Sequence, residues 1–408
     1  MGDLSQRVFL VTGPWHLVTL ASSLETERRR DPGRPRSADH LVAWGGERQG
    51  ALRASLVPVA KSLHSWASVT DVGAMLDVPS ADHLEVLGER LRSLGIPRDV
   101  DELWIPAFWP HTTKVAAAVW GRAEIVLFEE GLLTYSLFRR FRMLPFLRSN
   151  LRRVLAGSSR GGGLRHLRDT LRRLGGDPRN LLWEEGAPRS LLRRTRRDYR
   201  VLRSIFGTQP DFPRWIERID VPREVVLDQL DAYRRAVGCE FPPASRGRGR
   251  VLFLPQNLSS GGWMEEDVEV AIYVGAVGRL VAAGHEVLWK EHPRAVPSLY
   301  PRVAAAFPGR VAEVRVEPTM PVEAIAPDLG VDLCCGIYTM SLAYLPFLHG
   351  IGSACIASEC LPHVRRHDEL VRGLTLMARE TPSLDEVLGD RPASRLAPLG
   401  RAHGGEGR

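Results

Sequence analysis

The sequence predicts an α/β protein built from two doubly wound, Rossmann-like domains, and three observations carry that prediction. Its 408 residues exceed what one hydrophobic core usually supports, so two domains are expected. Short apolar runs alternate with helical patterns, the arrangement of βαβ units that build a parallel sheet covered on both faces. That alternation stops near Ser136 and resumes at Arg250.

Taken in order, "RVFLVTG" reads as a buried strand, and "PWHLVTLASSLETERR" as a helix with Pro14 in its first turn, where a fixed φ and a missing N–H do no harm. "HLVAWG", the helical stretch "ADHLEVLGERLRSLG" from Ala81 to Gly95, "ELWIPAF", "TTKVAAAVWG" and "EIVLF" continue the rhythm. From Ser136 to Arg248 the rhythm is expected to fail. That stretch is Arg-rich, helical in "LRHLRDTLRRLGG", and closes with "PREVVLDQLDAYRRAVG", a helix ending on a glycine cap. "PPASRGRGR" marks the entry to the second domain. There "RVLFLPQNLSSGG" is strand plus loop, "DVEVAIYVGAVGRLVAAG" a helix, "HEVLWKEHPR" strand plus loop and "SLYPRVAAAF" a helix. "RVAEVRV", "VDLCCGI" and "SACIAS" follow as strands, separated by the helices "PVEAIAP" and "TMSLAYLPFLHG". The expected domains are residues 1–240, with an Arg-rich insertion at about 139–203, and residues 250–390. A disordered tail at 391–408 completes the chain.

Composition narrows the class. With 44% apolar and 25% charged residues, and no window of about 18–20 apolar residues or secretory leader, the chain reads as cytoplasmic. Cys239, Cys334, Cys335, Cys355 and Cys360 are an odd set lying mostly in apolar runs, which predicts reduced, buried thiols and no zinc site. The net charge of +7 is unevenly placed. Between Arg139 and Arg203 stand 19 arginines and 5 acids, a local +14 that leaves −7 on the rest.

The chemistry is expected where strands end. Glu129 and Glu130, followed by Gly131, close the strand "EIVLF" and so stand at the carboxyl edge of the first sheet, where open α/β folds place their sites. The other acidic pair, Glu184 and Glu185, follows only "NLLW" inside the basic segment, where local ion pairing explains it. In the second half His292 and Pro293 follow the strand "HEVLW", with Lys290 and Arg294 beside them; an imidazole or these cations can meet a phosphate. Thr339 and Ser341 open a helix after a buried strand, able to cap it or to hold an anion with its free amides. Gln256, Asn257 and Ser260 form another polar loop after a strand.

The order of these motifs resembles that of the bacterial sialyltransferases and their polysialyltransferase-like branch, which carry a D/E-D/E-G motif, then an HP motif, then an S/T motif. The opening "VFLVTGPWHLVTLASSL" is similar to the start of that branch. The chain departs in showing "YTMS" where many members have adjacent hydroxyls, and in its Arg-rich insertion. The resemblance implies the GT-B architecture, with two doubly wound domains facing a central cleft. It also implies an inverting, metal-independent glycosyltransferase that needs no cofactor and moves sialic acid from CMP-sialic acid to a glycan hydroxyl. In that reading Glu129 is the first choice and Glu130 the second for general base. His292 binds the CMP phosphate and protonates the leaving group, Thr339 and Ser341 hold the same phosphate, and Gln256, Asn257 and Ser260 are candidates for the nucleotide.

The basic segment has three readings, with Arg139, Arg140, Arg152, Arg153, Arg172 and Arg173 as the contacts. It binds a polyanionic acceptor, attaches the enzyme peripherally to anionic lipid at the inner membrane face, or is a solvated flap. Two rival functions stay open. One is a GT-B transferase or epimerase using another nucleotide sugar such as a UDP-sugar. The other is an Arg-rich nucleic-acid-binding protein, disfavoured because aromatic residues are sparse in the cluster and both sheets would be left without a role.

Overall fold

A computed structural model describes residues 4–44, 50–73, 84–106, 119–131, 191–203, 213–238, 249–256, 258–292, 298–317, 320–365 and 368–389. The chain separates into two compact units, Met1–Cys239 and Glu240–Arg408.

The first unit runs β1 (Ser5–Val11), α1 (Pro14–Arg30), β2 (Ser37–Trp44), α2 (Gly50–Leu63), β3 (Ser68–Gly73), α3 (Leu84–Ser93), β4 (Glu102–Ile105), β5 (Glu124–Phe128), β6 (Thr195–Arg200), β7 (Glu217–Asp220) and α4 (Arg223–Val237). Its seven strands lie in the order β3-β2-β1-β4-β5-β6-β7, all parallel. Both faces of the central strands are apolar, as a sheet covered on both sides requires. Val8, Leu10, Leu103, Ile105, Ile125 and Leu127 fill one face. On the other, Phe9 packs on Trp104 and Trp104 stacks on Tyr199 at 5.3 Å. α1 is buried along most of its length although it carries Ser22, Ser23 and Thr26; each hydroxyl returns a hydrogen bond to the carbonyl four residues earlier, at 2.7–2.8 Å. α4 ends as expected at Gly238, whose φ of 68° needs a glycine.

Near the amino ends of the strands, remote from their carboxyl edge, a buried ionic network ties this sheet to α1. Arg7 makes a two-pronged bond to Asp39 (2.8 and 2.7 Å) and a third bond to Glu27 (2.9 Å). Arg34 and Arg197 each bridge Glu27 and Glu102, and His64 meets Asp39 at 2.7 Å. Three arginines face three acids, the balance a buried network needs.

The rhythm does not fail throughout Ser136–Arg248: β6 and β7 fall inside that stretch and extend the first sheet. Part of the basic charge is thereby internal. Arg194 donates to the carbonyls of Trp120 and Ala123, Arg197 joins the network above and Arg200 pairs with Asp198. Residues 139–190, including Arg139, Arg140, Arg152, Arg153, Arg172, Arg173 and the Glu184–Glu185 pair, lie outside the described residues, as do the 242–248 linker and the tail.

The second unit runs β8 (Arg250–Leu254), α5 (Glu266–Ala282), β9 (Glu286–Trp289), α6 (Tyr300–Ala306), β10 (Val311–Glu313), α7 (Val322–Ile325), β11 (Leu333–Gly336), α8 (Ser341–His349), β12 (Gly352–Cys355), α9 (Ala357–Cys360), α10 (Asp368–Glu380) and α11 (Leu384–Leu388). Its parallel strands are ordered β10-β9-β8-β11-β12. Phe253 and Trp289 stack at 5.0 Å with Tyr273 edge-on to both, an aromatic core between sheet and α5. Cys334, Cys335, Cys355 and Cys360 are free and buried; burial raises the Cys355 thiol to about 11, in keeping with inert packing groups. Among the described residues no helix is long and apolar enough to cross a membrane. Both units are doubly wound α/β sheets, the fold class expected of GT-B.

Candidate active site

The acidic pair sits directly beyond β5, and the two carboxylates have different surroundings. Glu129 is 1% exposed, and its Oε2 accepts the backbone N–H groups of Val201 (2.6 Å) and Leu202 (3.1 Å), which follow β6. Its carbonyl accepts the Thr19 hydroxyl at 2.7 Å. Glu129 therefore clasps the β6 turn and the body of α1 to the end of β5. Beside it Asp198 is fully buried. Desolvation lifts its carboxyl to about 6, the Arg200 guanidinium opposes that rise, and the Glu129 charge adds to it.

Glu130 faces the other way. Its Oε1 lies 4.0 Å from Nε2 of His16, in the first turn of α1, and its side chain keeps 11% of its exposure. Gly131 follows with φ 143°, a region that L side chains rarely adopt, so backbone geometry explains the third residue of the motif. The two acids of the motif are thus held differently: the carboxylate of Glu129 is engaged by backbone amides, and that of Glu130 meets an imidazole at the sheet edge.

In the second unit the strand order β9-β8-β11 puts three candidate segments side by side at their carboxyl ends. Lys290 leaves β9 and is 7% exposed; desolvation pulls its pKa below the usual 10.5, with the charge of Glu323 opposing. His292 follows, part-buried. Beyond β8, the Gln256 N–H donates to the Tyr273 hydroxyl (3.0 Å), and the N–H groups of Leu258 and Ser259 donate to the two oxygens of Glu269 (2.6 and 2.7 Å). Ser260 sits in the turn so fixed. Beyond β11, the Thr339 hydroxyl donates to Ser341 Oγ (3.2 Å), and Ser341 donates to the buried carboxylate of Glu323 (2.7 Å). Burial raises the pKa of Glu323. Gly336 lets β11 approach β8 here, since a Cβ would stand 3.0 Å from the Leu254 carbonyl. Asn257, Pro293 and Arg294 lie outside the described residues.

Sequence reasoning missed His16, Glu269, Tyr273 and Glu323. His16 gave one usable signal, its place just past a strand end in "TGPWH". The other three read as ordinary helix residues, because what distinguishes them is burial of a polar group, which one sequence does not display.

Comparison with curated proteins finds no match. Among solved structures, the GT-B domain of a sialyltransferase from Photobacterium damselae is similar at 10% identity, with 92% of this chain and 97% of that one covered and a TM-score of 0.43. The Neisseria meningitidis UDP-GlcNAc 2-epimerase bound to UDP-GlcNAc gives 12% identity, 87% and 82% coverage and a TM-score of 0.46. A UDP-glucosyltransferase from Polygonum tinctorium gives 14%, 95%, 92% and 0.49. The family model described as Alpha-2,8-polysialyltransferase (POLYST) matches residues 7–357. With that span reaching from β1 into α9 and taking in the strand-end acids, Lys290, His292 and the Thr339–Ser341 pair, the chain belongs to the alpha-2,8-polysialyltransferase family and is a glycosyltransferase.

Proposed function

We propose that this enzyme transfers sialic acid from CMP-sialic acid to a glycan hydroxyl with inversion at the anomeric carbon. Glu130 takes the acceptor proton as the acceptor oxygen attacks, and CMP leaves with the electron pair of the broken C–O bond. Glu129 is the positioning residue that holds the strand end. His292 binds the CMP phosphate and protonates it on departure. Lys290, Arg294, Pro293 and the Thr339–Ser341 pair complete the phosphate site, and Gln256, Asn257 and Ser260 border the nucleotide, so phosphate charge is met by protein groups without a metal or cofactor. A polyanionic acceptor suits the Arg-rich segment, and a peripheral position at the inner membrane face would use the same charge.

Support for the assignment of Glu130 comes above all from one observation: of two adjacent carboxylates at the sheet edge, one is clasped by two amides and the other meets an imidazole. A donor screen with CMP-, UDP- and GDP-sugars and mass-spectrometric product detection tests the reading. Transfer from CMP-sialic acid is expected, together with thermal stabilisation by CMP of about 2.7 kcal/mol at 100 times its dissociation constant. Transfer from a UDP-sugar alone would overturn the donor assignment.

A further inference from the structure

Thr12 and His16 stand between the end of β1 and the first turn of α1, four residues apart. The Thr12 N–H donates to Nδ1 of His16 at 3.2 Å, and the Thr12 hydroxyl lies 2.8 Å from the same nitrogen. A ring nitrogen that accepts an N–H carries no proton, so in the neutral ring the proton sits on Nε2. Nε2 is the atom that faces Glu130 Oε1, at 4.0 Å. The ring is held on a third side by Phe128, edge-on with centroids 6.4 Å apart, and His16 is 8% exposed. Tautomer, direction and orientation of this imidazole are thus all fixed, and fixed toward the carboxylate. The 4.0 Å separation is spanned by one bridging water or closed by a small side-chain rotation, a gap usual for catalytic pairs without substrate.

We infer that His16 is a positioning residue for Glu130, so that the base is an imidazole–carboxylate pair drawn from the β1–α1 turn and the end of β5. The inference rests on the reading of Glu130 as base and deepens it. The Nε2–H donates to Oε1, which fixes the orientation of the carboxylate and favours its ionised form in a site otherwise walled by Phe128 and the buried strand end. In the reaction the acceptor proton passes to Glu130, the acceptor oxygen bonds to the anomeric carbon, and His16 keeps its proton throughout. Among the described residues, ionisable groups about this strand end include Glu129, Asp198 and Arg200; Glu129 is turned to the amides of Val201 and Leu202, and Asp198 pairs with Arg200 at 2.7 Å.

Two substitutions separate the ring's two nitrogens. His16→Asn keeps a polar atom near Thr12 but is too short to reach Glu130, whereas His16→Gln carries its amide to the position of Nε2. His16→Asn is expected to lower kcat/KM about 100-fold through misplacement of the base, and to move the acidic limb of its pH profile upward by about one unit. His16→Gln should restore most of both. In a Glu130→Gln background His16→Asn should add less than about 2-fold, because its effect runs through that carboxylate. An unmoved limb together with additive losses would overturn the inference. A second readout does not depend on the donor: in long-range 1H–15N NMR spectra, Nδ1 of His16 should appear unprotonated and Nε2 protonated, with the Nε2 resonance displaced by Glu130→Gln and not by Glu129→Gln. A proton on Nδ1, or an Nε2 signal indifferent to Glu130→Gln, would refute the pairing even in protein that transfers nothing. Failure of the wild-type enzyme to use any CMP-sugar would instead sink the donor reading, leaving the NMR result to decide on His16.

Discussion

Removing the carboxylate of Glu129 should unfasten the first unit, and the size of the effect can be worked from two bonds. Its Oε2 accepts the N–H groups of Val201 and Leu202, and the residue is 1% exposed, so water does not replace it without local opening. An unmatched buried amide costs about 1–3 kcal/mol, giving about 2–6 kcal/mol for Glu129→Leu. Against a domain stability of about 5–15 kcal/mol that is a large fraction. Glu129→Gln keeps one oxygen for both amides and loses only the charge assistance, about 1–2 kcal/mol. Urea unfolding followed by tryptophan fluorescence, with hydrogen exchange at the Val201 and Leu202 amides, measures both. Glu130→Gln, by contrast, should leave stability within about 0.5 kcal/mol while lowering turnover about 100- to 10,000-fold. If Glu129→Leu unfolds like wild type, or if Glu129→Gln abolishes turnover in a fully stable protein while Glu130→Gln does not, the division of labour between the two acids is refuted.

Three further outcomes are expected. Burial alone would raise Asp39, but hydrogen bonds from His64 and Arg7 and the Arg7 charge outweigh it and hold the carboxyl at about 2 instead of 3.8. A depressed folded pKa contributes stability that is complete above the unfolded value and is lost as pH falls, so unit 1 should weaken by about 2 kcal/mol between about pH 4 and pH 2, a slope that acid titration of Asp39→Asn should lack. Glu269→Leu frees the Leu258 and Ser259 amides and should weaken CMP binding, measured by calorimetry, more than Tyr273→Phe, which removes the bond from Gln256 and the one to Glu269 but leaves both turn amides held. Gly336→Ala places a Cβ 3.0 Å from the Leu254 carbonyl, so β8 and β11 must part; a lower melting temperature and weaker CMP affinity should appear together.

How much of this was legible in the sequence follows from where each strand lies. β1, β4, β5, β8 and β11 are central, apolar on both faces, and stand out as apolar runs. β3 ("SVTDVG") and β7 ("ERID") are the edges of the first sheet, short and partly exposed, and their polar residues hid them. β6 ("TRRDYR") was hidden for another reason. It is buried, but Arg197, Asp198 and Arg200 are buried as ion pairs, so its alternation is one of partners and not of hydropathy. The acidic pair was located correctly at a strand end, because a strand followed by Glu-Glu-Gly leaves few alternatives. Which acid faces inward depended on β6, a segment that read as part of an insertion.

Glu129 and Glu269 do the same thing in their separate units: each grips two successive main-chain amides of a neighbouring turn, at residues 201–202 and 258–259. A grip on main chain is indifferent to what the gripped residues carry. Side chains along those turns can therefore be exchanged without re-engineering their course, and a scaffold of this kind can drift in what it recognises while its loops keep their shape.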